Sequence, residues 1–139
     1  MWTSIDPDPA YHDNKQFPRD GRTTVEFEVP ETIESAKEIL IFAWIRIAGA
    51  INPTGAWYYK IFVRDYLMDP DAAFYMYVFT EANYNEATKY VSNYFSENMW
   101  LPMPFNRRIY VSRLSLHGDE DLPIKGTYVY SQLRVVGYR

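Results

Sequence analysis

Residues 39–48 read I-L-I-F-A-W-I-R-I-A, with Arg46 as the single charged side chain. In a β-strand, alternate residues point to opposite faces, so this stretch would carry apolar side chains on both. One row is Ile39, Ile41, Ala43, Ile45 and Ile47, and the other is Leu40, Phe42 and Trp44. At roughly 3.3 Å per residue the strand would be about 33 Å long, enough to cross a whole domain. We therefore predict a long strand that must be covered on both sides.

The main alternative for this region is a helix over residues 31–44. Such a helix would place Ile33, Ala36, Leu40 and Ala43 near one face. The isoleucines of the stretch favour the strand, because β-branched side chains are restricted at χ1 against the preceding turn of a helix.

Other alternating or densely apolar stretches predict further strands. They cover residues 23–29, 56–66, 74–80, 108–116 and 126–138, while residues 98–105, with two prolines, are typical of an edge strand. Residues 81–97 are left open between a helix and a long loop with a short strand, because Asn and Tyr weaken a helical spacing. About seven or eight strands without helices between them predict an all-β fold, an antiparallel β-sandwich of jelly-roll type.

Length and composition fit a single domain over residues 1–139, with residues 1–22 as an irregular N-terminal arm held by Trp2 and Phe17. Aromatic residues make up 18% of the chain, which favours half-buried pleated surfaces. The sequence contains no cysteine, which excludes disulfides and thiol chemistry.

No signal peptide is visible and no apolar run is long enough to span a bilayer, so no membrane insertion is expected. The compartment is left open, with an extracellular location preferred.

The charged residues and histidines exclude several function classes. With 14 basic and 18 acidic residues the net charge is −4, which argues against nucleic-acid binding. His12 and His117 are the only histidines, and neither a nucleophile elbow nor a zinc-binding pattern accompanies them. We therefore predict that the chain is not an enzyme. A glycoside hydrolase with two carboxylates is the less favoured alternative.

Aromatic residues near turns indicate carbohydrate binding. Sugar sites on β scaffolds combine an aromatic plate for the C–H face of the ring with polar groups for its hydroxyls. The candidate ligand contacts are Trp57, Tyr58, Trp100, Asn106 and Arg108. The alternative is that Trp57 and Trp100 are core or subunit-interface residues.

Acidic residues around one turn could bind a hard cation through carboxylate oxygens. Asp65, Asp69 and Asp71 flank a Met-Asp-Pro-Asp turn and are the candidate Ca²⁺ ligands, although their spacing does not match an EF-hand. The alternative is that they are solvated turn residues. No other cofactor is expected.

The apolar strand faces exceed what a two-layer sandwich of this length covers by itself. We therefore predict self-association, with a trimer as one option, since Trp and Tyr are favoured at interfaces. The predicted interface is Leu40, Phe42, Trp44 and Arg46. Arg46 would need an acidic partner or a solvent channel in such an interface.

A cysteine-free, aromatic jelly roll that ends in Gly137-Tyr138-Arg139 is similar to small lectin-like domains and to C1q-like and tumour-necrosis-factor-like domains. No residue role is carried over from them. The function predicted from the sequence is a non-catalytic, lectin-like carbohydrate-binding module that acts as a homo-oligomer. The alternative is a structural or self-assembly domain whose partner is another protein or a further copy of itself.

Overall fold

The computed structural model describes residues 1–5, 15–18, 23–49, 56–64, 72–79, 84–85, 90–114 and 127–139. Within these ranges the chain forms nine strands and a short 3-10 helix at Glu31–Ile33. The strands are β1 (Thr3–Ser4), β2 (Thr24–Glu28), β3 (Glu38–Gly49), β4 (Ala56–Val63), β5 (Ala72–Phe79), β6 (Tyr84–Asn85), β7 (Tyr90–Pro102), β8 (Arg108–Leu114) and β9 (Thr127–Tyr138). No helix in the described part of the chain has the length and apolar character to cross a membrane.

The strands form two antiparallel sheets. Sheet A has the order β1-β9-β3-β7-β6, and sheet B has the order β2-β8-β4-β5. The pairing is nested, since β1 pairs with β9, β2 with β8, β3 with β7 and β4 with β5. Nested pairing of early with late strands in two packed sheets defines a jelly roll. The predicted fold class is therefore confirmed.

β3 lies in the middle of sheet A, between β7 and β9. Of the two apolar rows predicted for this strand, Ile39, Ile41, Ala43 and Ile45 are fully buried between the sheets. The helix proposed as an alternative for residues 31–44 is wrong, because only Glu31–Ile33 is helical. Tertiary pairing on both edges of β3 stabilises the extended form that its isoleucines favour.

The core between the sheets is built from the inward rows of both. It contains Phe17, Phe27, Val29, Ile33, Ile39, Ile41, Ala43, Ile45, Tyr59, Ile61, Val63, Leu101, Ile109, Val111, Leu133 and Val135. In β2 the predicted alternation holds, because Phe27 is buried and Glu26 and Glu28 are exposed. One charged residue joins this interior, since Arg113 on the inward row of β8 is only 8% exposed.

The long strand β7 begins within residues 81–97, the region that the sequence left open between a helix and a long loop with a short strand. The helix alternative is wrong for the described part, where Tyr84–Asn85 is a short strand and a long strand begins at Tyr90. β6 pairs only with Tyr90 and Val91, so within the described residues the rest of β7 pairs with β3 alone. Among the described strands, residues 98–102 therefore lie at an edge of sheet A, as the two prolines of residues 98–105 predicted. They form the end of the long strand β7 and not a separate strand.

The described residues of the N-terminal arm are held as predicted by Phe17. Its ring is 2% exposed and lies between Phe27 and Tyr59, at centroid distances of 6.2 and 5.3 Å. The Phe17 amide donates to Ser131 Oγ at 2.6 Å, and the Ser131 amide donates to Gln16 Oε1 at 2.7 Å. These bonds attach the arm to β9 and close one side of the sandwich.

Candidate functional site

The outer surface of sheet A carries the even row of β3 and its neighbours in register. Leu40 is the partner of Trp100, Phe42 of Asn98 and Trp44 of Ser96, all on β7. On β9, Phe42 is the partner of Arg134, Trp44 of Gln132 and Arg46 of Tyr130. We call this surface the aromatic face, and it comprises Leu40, Phe42, Trp44, Arg46, Tyr94, Ser96, Asn98, Trp100, Tyr130, Gln132 and Arg134.

The apolar residues of the aromatic face are only partly covered. Leu40, Phe42 and Trp44 are intermediate in burial, whereas the opposite row of β3 is fully buried. Tyr94 is 54% exposed and Tyr130 is 48% exposed. The Trp44 and Tyr94 rings pack together at 5.9 Å between centroids, which makes a continuous ring surface at this end of the face.

Residues close to the two chain ends cover the Leu40 end of the face. Trp2 lies edge-on to Trp100 at 5.9 Å between ring centroids. Its ring also sits over Gly137, where a Cβ atom would come within 2.7 Å of the indole. The Arg139 guanidinium lies 4.2 Å from the Trp100 centroid and pairs with the Glu38 carboxylate. We call this arrangement of Trp2, Trp100, Gly137, Arg139 and Glu38 the terminal clasp.

The charges on the aromatic face are unbalanced. Arg46 is exposed and forms no ion pair with any residue that the structure describes. The Arg134 Nε is buried and has no hydrogen-bond partner. Glu38, at the start of the β3 row, is the acidic residue at this surface within the described ranges, and it is paired with Arg139. A partner with carboxylate or carbonyl oxygens would satisfy the two arginines.

The outer surface of sheet B has a different composition, and we call it the charged face. Glu26 accepts from Arg108 at 3.0 Å, and the hydroxyls of Thr24 and Ser112 lie 2.9 Å apart. Two aromatic rings on this face, Phe62 and Tyr110, are stacked at 5.2 Å. A cation lies over each ring, with Lys60 Nζ 4.5 Å from the Phe62 centroid and the Arg64 guanidinium 4.9 Å from that of Tyr110. Phe62 and Tyr110 are both buried, so the centre of this face is covered, and ion-paired and hydrogen-bonded polar groups lie around it.

The predicted ligand residues do not form one site. Tyr58 is the partner of Leu114, at the far end of β8 from Arg108. At roughly 3.3 Å per residue the six positions separate them by about 20 Å. Trp100 belongs to the other sheet. Trp57 lies on β4 opposite Val78, and the direction of its side chain is outside what the structure describes. A shared sugar site for these five residues is therefore not assembled.

Three of these residues also have structural contacts. The Asn106 side chain donates to Tyr110 Oη at 2.7 Å and accepts from the Arg108 amide at 3.1 Å, which fixes the turn between β7 and β8. The Arg108 guanidinium is paired with Glu26, and the Trp100 ring is stacked against Arg139. Sequence reasoning missed these roles because each partner is distant in the chain or lies in the turn. Their ligand contacts stay predictions.

The predicted metal ligands Asp65, Asp69 and Asp71 lie outside the described residues, as do His12 and His117. Within the described ranges no three histidine or acidic side chains cluster as metal ligands would. The Ca²⁺ prediction therefore stays a prediction.

A groove of about 650 Å³ lies between β2 and β9, with Phe27, Val29, Leu133 and Val135 among its lining. Lys15, Arg107, Glu28 and Glu31 add two cations and two anions to its lining, so their charges cancel. Both glutamates are exposed, whereas the general acid of a glycosidase depends on partial burial. The groove does not strengthen the hydrolase alternative.

No protein-family model and no curated protein matches this chain. Among solved structures, the globular domain of zebrafish complement 1qA protein is similar, with a TM-score of 0.40 and 12% sequence identity. The similarity covers 81% of this chain and 67% of that one. At this level it bears on neither binding nor assembly. The fold assignment rests on the strand pairing, and the function must be argued from this chain's own surfaces.

Proposed function

We propose that this chain is a non-catalytic β-sandwich module that forms a homo-oligomer through the aromatic face. One observation carries the proposal: the outward row Leu40, Phe42 and Trp44 is apolar and only partly covered at the centre of sheet A. An antiparallel sheet ordinarily has one buried and one solvated face, with polar residues on the second. The charged face carries ion-paired and hydrogen-bonded polar groups around buried Phe62 and Tyr110, whereas the aromatic face has a partly covered apolar row at its centre.

The composition of the aromatic face supports a protein partner. Protein–protein interfaces are enriched in Trp, Tyr and Arg and depleted in Lys, Glu and Asp. The face contributes Trp44, Trp100, Tyr94, Tyr130, Arg46 and Arg134, and the acidic residue beside it in the described ranges, Glu38, is already paired with Arg139.

Charge favours a second copy as that partner. The chain has a net charge of −4, while the aromatic face carries two arginines and its neighbouring Glu38 is already paired. The rest of each molecule is therefore acidic relative to this face, and opposite charges bring the two surfaces together. Arg46 keeps the role predicted from the sequence, a cation that needs an acidic partner at the interface.

Carbohydrate binding is the second candidate function, and one feature supports it. The exposed Tyr94 ring packs beside Trp44, and the polar side chains of Ser96 and Asn98 follow on the same strand. An aromatic plate with adjacent hydrogen-bonding groups suits a sugar ring. The glycan would then occupy the face proposed for the second copy, so the two would compete.

The test is the oligomeric state of variants with a charge on the face. Tyr94→Glu and Tyr130→Glu place a carboxylate at exposed positions, so folding should be retained while association is lost. Phe105→Glu is the matched control, because Phe105 is 58% exposed in the turn that follows β7. Sedimentation velocity should show an oligomer for the original chain and Phe105→Glu, and monomers for the two face variants.

A monomeric original chain at concentrations up to about a millimolar, the weak limit of specific association, would contradict the proposal. Oligosaccharides offered during the same runs separate the two candidates. Dissociation of the original oligomer by a glycan, together with direct glycan binding that Phe105→Glu keeps and Tyr94→Glu loses, would instead support carbohydrate binding on this face.

A further inference from the structure

We infer that the groove between β2 and β9 binds a short apolar peptide with free termini. In this site Arg107 binds the carboxylate of the peptide, Glu28 and Glu31 bind its ammonium group, and the apolar floor holds its side chains. The described residues that line the groove include none from the aromatic face. The inference therefore goes beyond the proposed self-association and does not depend on it.

The size and lining of the groove suit a small ligand. Its volume is about 650 Å³, within the range of roughly 300–1,000 Å³ that is typical of ligand pockets. Both sheets contribute apolar side chains to its floor, Phe27 and Val29 at the β2 side and Leu133 and Val135 on β9. An apolar floor with a few charged groups beside it is the usual composition of a site that recognises a small molecule.

Arg107 is the group that binds an anion. Its Nε lies 3.9 Å from the Glu34 carboxylate, which is longer than a hydrogen bond, and both side chains are partly exposed. No other carboxylate pairs with it in the described part of the chain. Its guanidinium can therefore exchange this loose contact for a bidentate, hydrogen-bonded pair with the carboxylate of a ligand.

The backbone of Arg107 supports a role in binding. Its φ of 56° is in the left-handed region, where a side chain is disfavoured. The Arg107 carbonyl accepts from the Val29 amide at 2.8 Å, which holds this turn against the groove. Strained residues other than glycine are concentrated at functional sites, where the position of the side chain offsets the cost of the strain.

Two carboxylates beside Arg107 decide which ligand fits. Glu28 and Glu31 lie on either side of the segment that begins with Val29, the residue bonded to Arg107. Both are exposed, and neither forms an ion pair with a described residue. A simple anion would be repelled by these carboxylates, and a simple cation would be repelled by Arg107. A molecule with both charges and an apolar body, such as a short apolar peptide, matches the charged groups and the floor together.

The first measurement is an NMR titration with leucyl-leucine and three analogues. Leucyl-leucinamide lacks the carboxylate, N-acetyl-leucyl-leucine lacks the ammonium group, and glycyl-glycine lacks the apolar side chains. We expect leucyl-leucine to bind with a Kd of about a millimolar or tighter, and each analogue to bind roughly tenfold more weakly. The inference is overturned if leucyl-leucine does not bind, or if the amide and the acetylated analogue bind as well as it does.

The second measurement separates binding from stability. Arg107→Gly should abolish the preference for leucyl-leucine over its amide, while the thermal stability is unchanged or higher because the strain is relieved. The double variant Glu28→Gln with Glu31→Gln should abolish the preference over the acetylated analogue. Lys37→Gln is the matched control, since Lys37 is exposed and does not line the groove, and it should keep both preferences. If Arg107→Gly still prefers leucyl-leucine to the amide, the site is wrong.

Discussion

Phe17 connects the N-terminal arm to the interior more strongly than any other described residue of the arm. Its ring is buried between Phe27 and Tyr59, and its amide is held by Ser131. Phe17→Ala removes this packing and leaves a cavity, so we expect a loss of about 3–5 kcal/mol in the free energy of unfolding. Urea denaturation measures it, with exposed Phe105→Ala expected to change stability by less than about 0.5 kcal/mol. Equal effects at the two positions would contradict the anchoring role.

Gly137 is constrained by Trp2. A Cβ atom at this position would lie 2.7 Å from the Trp2 ring and 3.1 Å from the Thr3 carbonyl oxygen. Gly137→Ala should therefore displace the indole, shift tryptophan fluorescence towards longer wavelength and lower stability by roughly 1–3 kcal/mol, the usual cost of overpacking. In a Trp2→Ala background the same substitution should cost less, because only the backbone contact remains. Additive effects of the two substitutions would show that the ring does not press on Gly137.

Arg107 adopts a left-handed conformation, with φ at 56°, in the turn that Asn106 stabilises. A side chain is disfavoured there, so Arg107→Gly should leave stability unchanged or raise it by up to about 1 kcal/mol. Arg108→Gly, one residue later and inside β8, should lower it by roughly 1 kcal/mol, because glycine weakens a strand and the Glu26 ion pair is lost. Thermal unfolding of the two variants compares them. A destabilised Arg107→Gly would mean that its side-chain contacts outweigh the strain.

At the scale of strands, the run of apolar and β-branched residues from Ile39 to Ile47 was enough to predict β3, but with both rows apolar it could not show which row lies between the sheets. The pattern could not give the bulge between Leu40 and Ile41, where the partner on β9 changes from Gly137 to Val135. A bulge depends on how two distant strands fit, and single-strand alternation carries no information about it. The length of β7 was missed for a related reason: pairing with β3 overrides the weak local preferences of residues 90–97.

At the scale of the whole molecule, the sequence could not show that the predicted ligand residues lie on different strands and in different sheets. Trp57 and Tyr58 follow one turn, and Asn106 and Arg108 follow another, yet β4 and β8 are antiparallel and carry these groups to opposite ends. Proximity to a turn does not determine which turns meet. The aromatic face could be anticipated, since its central row belongs to one strand, whereas its flanks on β7 and β9 depend on register.

The nested pairing of strands also sets the order in which the chain can fold. β4 with β5 and β6 with β7 are the described pairs whose members follow one another in sequence. β3, the central strand of sheet A, pairs with both β7 and β9, and β9 is the last strand that the structure describes. Such long-range closure makes folding slow and leaves the isoleucine-rich strand uncovered during synthesis until the C-terminal residues emerge. The topology therefore leaves one edge of β3 able to associate with other chains until β9 is available to pair with it.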